Sequence, residues 1–365
     1  MYDLFPIENY SSIYYNIQLV VILLTLLHTQ LFDYRDKATH KYLSIIGWPY
    51  ALFIVLFIGL RPVNGIFVDM TTYAYMFYRE TIGNPVEIGT DIAFAFLLKL
   101  SARLTNETGF FFICAFLYIG SLVIASKNFF KSYWIYCFIA LVASFSFYAY
   151  GVNGIRNGMA TSIFVLGISY HKKPVISGIV LTVSCLFHQS MYLPTLAYLI
   201  TFFHNNPKTY LIAWFAAIPL SLVFGSFFVG LFAGLGFADD RLSDYLLSEA
   251  SANEFSSTGF RWDFLIYGAT GTLAGWYFIF KKQYKDKAYH RIYGTFLIAN
   301  AFWILVITAN FSNRFAYLSW FLLAIVIFYP FLKKRFFAYQ HQVFGAVLLL
   351  YFLFTYLMNL LKPSL

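Results

Sequence analysis

"EIGTDIAFAFLLKLSARLTNETG", residues 87–109, is apolar enough to suggest a membrane span, but Lys99 and Arg103 interrupt it. The decision matters because every later loop changes side with it. Counted as a span, the segment would put the basic loop at 33–42 on one face and all later basic loops on the other. Read as an amphipathic helix lying on the outer face, it keeps them together. On that reading, apolar runs of helical length stand at about 13–32, 43–60, 107–126, 132–150, 155–171, 174–189, 190–204, 209–232, 262–280, 289–310, 313–332 and 340–360, which makes about twelve spans. With 33–42 inside, the loops at 127–131, 171–174, 204–208, 281–291 and 333–335 are inside too. Together these loops hold 16 of the 25 Lys and Arg but only 3 of the 16 Asp and Glu. That bias follows the positive-inside rule and places both termini outside.

Composition agrees with this arrangement. A chain of 365 residues that is 60% hydrophobic and 11% charged, with mean hydropathy +0.68, reads as an all-α polytopic membrane protein, a single integral membrane domain over 1–365. A formal charge of +9 would suggest a nucleic-acid partner in a soluble protein. Here the basic residues sit in short loops, where they act as topology signals, and no nucleic acid is expected. Cys114, Cys137 and Cys185 lie inside apolar runs without CxxC spacing, so they read as small hydrophobes rather than as a disulfide framework or metal ligands. No Walker loop, GxGxxG or HExxH occurs, and no cofactor or metal is expected. The first apolar run follows Asp3 and Glu8 rather than a basic stretch, and is read as a retained span. The 22% aromatic content exceeds what interfacial belts need, and fits either a cavity wall or an AT-rich coding bias.

The run 174–204 is too long for one ordinary span and short for two, so two short spans meeting near His188, or a re-entrant hairpin, are expected. Two substantial outer loops remain, 61–106, which carries the amphipathic helix, and 233–261, which is acidic and reads as a mobile lid or an ordinary solvated loop.

"YGVNGIRNGMATS", residues 150–162, places Arg156 within about one turn of the outer interface, where an arginine can snorkel at little cost. Its neighbours Asn153, Gly154, Asn157 and Gly158 are small or polar, which admits close approach of a backbone or a ligand. Arg61, Asp69 and Tyr73 share that depth at the end of the second span, His188 and Gln189 where the sixth emerges, and Arg314 at the start of the eleventh. Singly these read as interfacial anchors, a helix cap and a satisfied buried histidine. Jointly, three arginines with an aspartate and a histidine at one depth point to a polyanion site with an ionisable group beside it. Trp48, Trp134 and Trp320 read as interface anchors or core, with sugar stacking open for Trp262.

Those residues carry a resemblance. "GLRPVNGIFVDMTTYAYMFY" resembles the R-P-x-x-G-x-D-T-x-x-Y stretch of the EpsG-like family, which overlaps the Wzy-type O-antigen and capsular polysaccharide polymerases, and "EIGTDIAFAFLLKL" resembles its following E-x-G-x segment. "YGVNGIRNGMATSIF" is similar to its second arginine motif, "LFHQSMYLP" to its F-H-x-S-A element and "NRFAYLSWF" to its late arginine segment. The chain departs in carrying two extra residues between Gly65 and Asp69, Met70 before Thr71, and Asn157 where glutamine is usual. The resemblance implies a glycan polymerase of the bacterial inner membrane, multi-pass, with its site facing the periplasm or exterior. Its substrates would be undecaprenyl-diphosphate-linked oligosaccharides within membrane lipid, and a chain-length regulator protein is an optional partner.

On that implication Arg156, Arg314 and Arg61 would bind the diphosphate, and His188 or Asp69 would take the acceptor proton. Asn153, Asn157, Gln189 and Tyr73 would line the substrate. Inversion in a single displacement is expected, without metal or nucleotide sugar. A lipid-linked oligosaccharide flippase or other transporter is the main rival, but its charges would sit near mid-membrane in two similar halves, and neither pattern is found. A membrane O-acetyltransferase of surface glycan, or a transferase using polyprenyl-phosphate sugars, is the second.

Overall fold

The structure, a computed structural model, describes residues 5–234, 259–309 and 313–361. Among them the chain is helical throughout, with no strand. It divides into two compact units, Met1–Gln189 with Phe331–Leu365, and Ser190–Pro330.

The first unit contains α1 (Tyr10–Leu31), α2 (Lys37–Gly59), α3 (Met70–Thr81), α4 (Ile92–Leu104), α5 (Glu107–Phe130), α6 (Trp134–Val142), α7 (Phe145–Val152), α8 (Ile155–Ser169) and α9 (Pro174–Phe187). The second contains α10 (Tyr192–Phe203), α11 (Pro207–Gly234), α12 (Trp262–Trp276) with a π-helical turn at Tyr277–Lys281, α13 (Lys287–Leu305), α14 (Asn313–Trp320) and most of α15 (Leu323–Lys333). The last helix, α16 (Gln340–Leu361), returns to the first unit and packs along α1.

In the first unit α5 is the central element, flanked by α2, α6 and α8, with α9 against α8. Its two ends identify two ends of the unit. At one, Lys333 Nζ donates to the Phe129 carbonyl, Tyr34 donates to Phe331 O at 2.8 Å, and Trp134 Nε1 to Ser44 Oγ at 3.0 Å. At the other, Phe111 lies against the Arg61 guanidinium. The arginine motif and the stretch 87–109 belong to this second end.

That settles how α4 runs. It starts at Asp91, beside Arg156, and the chain enters α5 with Phe110 against Phe94 and Phe77, so both ends of α4 lie at the same end of the unit. Its 13 residues, rising about 1.5 Å each, are also too short for a hydrocarbon core about 30 Å thick. The helix buries Phe94, Leu98 and Ser101 while Ile92, Phe96, Leu100 and Leu104, spaced by four, form an exposed apolar stripe. This is the amphipathic helix expected from the interrupting Lys99 and Arg103.

Six segments of the described residues are long and apolar enough to cross a membrane: Ile7–Leu31, Lys41–Gly59, Glu107–Val142, Pro207–Phe232, Phe315–Lys333 and Gln340–Leu361. Pro174–Phe187 is apolar but shorter. The count falls below the twelve runs read from sequence because several of those runs are broken or short. The run at 132–150 divides at Ala143–Ser144, and the runs at 155–171 and 190–204 give helices of only 15 and 12 residues. The run at 174–204 divides at His188, whose extended backbone (φ −158°, ψ 126°) ends α9 as its length led one to expect.

In the second unit α13 packs on α10, α11 and α14. Fully buried Asn300 on α13 accepts from Trp214 Nε1 at 2.7 Å and donates to Ser319 Oγ at 2.9 Å, which ties α11 and α14 to α13. A buried amide partnered in this way fixes the three helices in one arrangement. The loop 233–261 lies almost wholly outside the described residues. All three cysteines are buried and none forms a disulfide among the described residues, Trp134 and Trp320 belong to the core, and Trp262 is exposed.

Candidate functional site

Residues 61–69, 90–91, 150–157 and 188–189 come together at one end of the first unit. Arg156 stands in the first turn of α8, where the chain has just turned out of α7 through Asn153 and Gly154. The turn is tight because Gly158 lies against α7: a Cβ there would stand 2.4 Å from the Tyr150 carbonyl oxygen. This glycine therefore serves close backbone approach within the fold. Gly158→Ala is expected to destabilise the protein by about 1–3 kcal/mol, since a backbone atom cannot swing aside. The drop in melting temperature should exceed that of Gly154→Ala, whose Cβ would meet Tyr150 ring carbon only at 3.4 Å.

Arg156 is held on three sides. Its Nη1 donates to Asp91 Oδ2 at 2.7 Å, its Nε lies 3.4 Å from the Tyr73 hydroxyl, and the rings of Tyr73 and Phe94 flank it at 5.8 and 5.7 Å. The Arg156 side chain is 17% exposed and that of Asp91 5%, so the pair is largely dry, with the arginine its more exposed member. The other Asp91 oxygen accepts from the Gln189 amide at 3.3 Å, and Thr90 Oγ1 donates to Gln189 Oε1 at 3.1 Å. Residues 90–91 thus hold both the arginine of α8 and the turn that carries His188 and Gln189. Burial pushes the Tyr73 phenol above its ordinary range, while the Arg156 charge pulls it down.

Asp69 immediately precedes α3, its carbonyl accepting from the Tyr73 amide, one helical turn from the ring that flanks Arg156. Val68 before it has φ 40°, a backbone conformation that β-branched residues avoid. The residues between Gly65 and Asp69, two more than the family spacing, form a short 3-10 turn and this kink. Asn153 closes α7, and its Oδ1 is buried with no hydrogen-bond partner among the described residues. Asn157 and His188 are half-buried.

Arg61 is placed differently from the expectation of a ligand-facing group. It is 2% exposed, with its Nη atoms on the carbonyls of Ile58, near the end of α2, and Val152, the last residue of α7, the latter at 2.9 Å. Phe67 and Phe111 rings enclose it at 5.6 and 5.3 Å. The guanidinium thereby satisfies carbonyls at two helix C-termini, where a positive charge is favoured. Burial lowers its pKa to about 10, which leaves it charged at neutral pH. In this position it anchors the end of α7 from which the Arg156 turn departs. Arg314 stands in the first turn of α14, and its side chain lies outside the described residues.

Asp91 is the residue that the sequence reading missed. It precedes an apolar run in the position of a helix cap, so the local pattern offers a sufficient reason for an acid there. A signal existed in that it is the acid at the head of the amphipathic helix α4, the segment nearest in sequence to the Arg61 and Asp69 motif.

An all-helical membrane protein with an arginine cluster at one end of its first unit defines the class. The comparisons narrow it: the EpsG family model matches residues 44–364, and the chain belongs to the EpsG family. Membership places it among membrane proteins of polysaccharide biosynthesis. No curated protein and no solved structure matches the chain.

Proposed function

We propose that the protein is a glycan polymerase that joins undecaprenyl-diphosphate-linked oligosaccharides on the outer face of the bacterial inner membrane, for O-antigen, capsule or exopolysaccharide. The observation that carries the reading is the Arg156 guanidinium, its side chain 17% exposed and held by Asp91 and Tyr73 next to the turn bearing His188. Membership of the EpsG family supports it. An arginine fork matches phosphate oxygens in two directions, and its fixed orientation means that no reorganisation is needed when charge develops on the leaving group.

In the reaction, the hydroxyl oxygen of the acceptor unit attacks the anomeric carbon of the donor chain, and the carbon–oxygen bond to the diphosphate breaks with inversion. The electron pair leaves on undecaprenyl diphosphate, whose charge Arg156 stabilises, and the proton of the attacking hydroxyl passes to His188 or Asp69. No metal or nucleotide sugar enters this account. Arg314 keeps its sequence-based place among the diphosphate ligands, and Arg61 contributes by holding α7. Asn153, Asn157, Gln189 and Tyr73 are the substrate-facing polar groups in this reading. The charge bias of the sequence supports an outer position for the cluster, since the twelve-span reading with its basic loops inside has this end of the first unit facing out.

The surface polysaccharide of a deletion strain tests the proposal. Loss of the polymer ladder with a single repeat unit still attached to its carrier is expected. Loss of every surface repeat would point instead to a flippase, and an unchanged ladder carrying fewer acetyl groups to an O-acetyltransferase.

A further inference from the structure

Asp91 raises a question that the polymerase reading leaves open. If Arg156 receives a diphosphate, a carboxylate 2.7 Å from one of its nitrogens is a competing anion already in place. Asp91 is itself buried, and it heads α4, the helix whose exposed apolar stripe of Ile92, Phe96, Leu100 and Leu104 starts beside the arginine. Its second oxygen holds the Gln189 amide, so its position is coupled to the turn of His188.

We propose that Asp91 is a resident counter-anion for Arg156: it occupies a phosphate position on the guanidinium while the site is empty, and the diphosphate of a lipid-linked glycan binds by displacing it. The inference rests on Arg156 being the diphosphate ligand. Physically, an arginine in a mostly dry site is costly without a negative partner, and Asp91 supplies one until substrate arrives. The same attraction then opposes substrate binding, because the incoming anion must replace a contact already made. After displacement, one Asp91 oxygen keeps the Gln189 amide, so the turn stays attached to α4. Asp91 is thus a positioning residue that sets affinity for the diphosphate through Arg156.

The experiment is binding of inorganic diphosphate to purified, detergent-solubilised protein, followed calorimetrically, with turnover of lipid-linked donor measured alongside. Asp91→Asn keeps the shape and a hydrogen bond but removes the competing charge. It is expected to bind diphosphate about tenfold more tightly than the wild type, and to lower both KM for the donor and kcat, because ground-state binding improves while Arg156 and the turn lose their fixed relation. A side chain that merely supports the fold would raise KM or leave it unchanged. Arg156→Ala should abolish diphosphate binding in either background. Asp91→Ser, neutral and smaller, is the second variant and carries the same expectation. If wild-type protein binds diphosphate through Arg156 but the neutral variants bind no more tightly, the displacement proposal falls and the diphosphate reading of Arg156 stands. If diphosphate binds neither wild type nor variant, both fall. If neither neutral variant accumulates, the carboxylate is a structural strut and the proposal falls.

Discussion

Arg156→Lys should reduce polymer formation on the order of a hundredfold, the loss typical when a preorganised donor to a developing anion is removed, while the protein accumulates in the membrane at its normal level. Lysine keeps the charge and can still reach one Asp91 oxygen, so the ion pair and the local fold should survive. It cannot at the same time present a donor toward the Tyr73 hydroxyl and another toward a phosphate, because its three protons radiate from a single nitrogen. The flat guanidinium now lying between the Tyr73 and Phe94 rings is lost as well. Polymer length and yield on a gel, with immunoblot of the membrane fraction as control, read the outcome. Wild-type polymer in the lysine variant would mean that the position needs only a positive charge, as a snorkelling anchor does, and the diphosphate assignment would be withdrawn.

How far the sequence anticipated this cluster can be followed residue by residue. The short amphipathic form of α4 was legible because Lys99 and Arg103 fall inside an otherwise apolar stretch, where burying them in lipid would be costly. The break at His188 was legible from length alone, since 31 residues from 174 to 204 fit neither one span nor two full ones. Arg156, with its Gly158 and Asn157, was recognisable as unusual company for a lipid-facing arginine. The reason for Gly158 was not recognisable, because close approach to the Tyr150 carbonyl depends on how α7 and α8 meet. Arg61 and Asp91 mark the boundary of such reading. At a span end, an exposed arginine and one that bonds to the Val152 carbonyl 91 residues away look alike in sequence. An aspartate heading a helix likewise looks like a cap whether or not an arginine 65 residues on will meet it. Periodicity and charge bias are local quantities, whereas these two partnerships are set by packing between distant segments.

The identity of the proton acceptor is the second large effect to expect. His188 follows α9 with an extended backbone, one residue before the amide that Asp91 holds, so the ring is carried on a turn fixed to the Arg156 cluster. Replacement by alanine should lower the rate between about a hundredfold and ten-thousandfold, the range for loss of a positioned general base. His188→Gln discriminates between the roles available to this ring. Glutamine retains a hydrogen-bonding group of similar reach but cannot take a proton at neutral pH, so it should fail nearly as badly as alanine if His188 is the base, and should restore most of the rate if His188 only orients the acceptor. The same distinction appears in the wild type as a rate that falls on acidification, because a protonated imidazole no longer accepts the hydroxyl proton. Asp69→Asn supplies the comparison: one turn from Tyr73, it should retain the larger part of the activity. A rate that is flat across the range in which imidazole protonates, together with an active glutamine variant and an inactive Asp69→Asn, would move the proton transfer from His188 to Asp69. Arg156 would keep its assignment in that case, since stabilising the departing diphosphate does not depend on which group receives the acceptor proton.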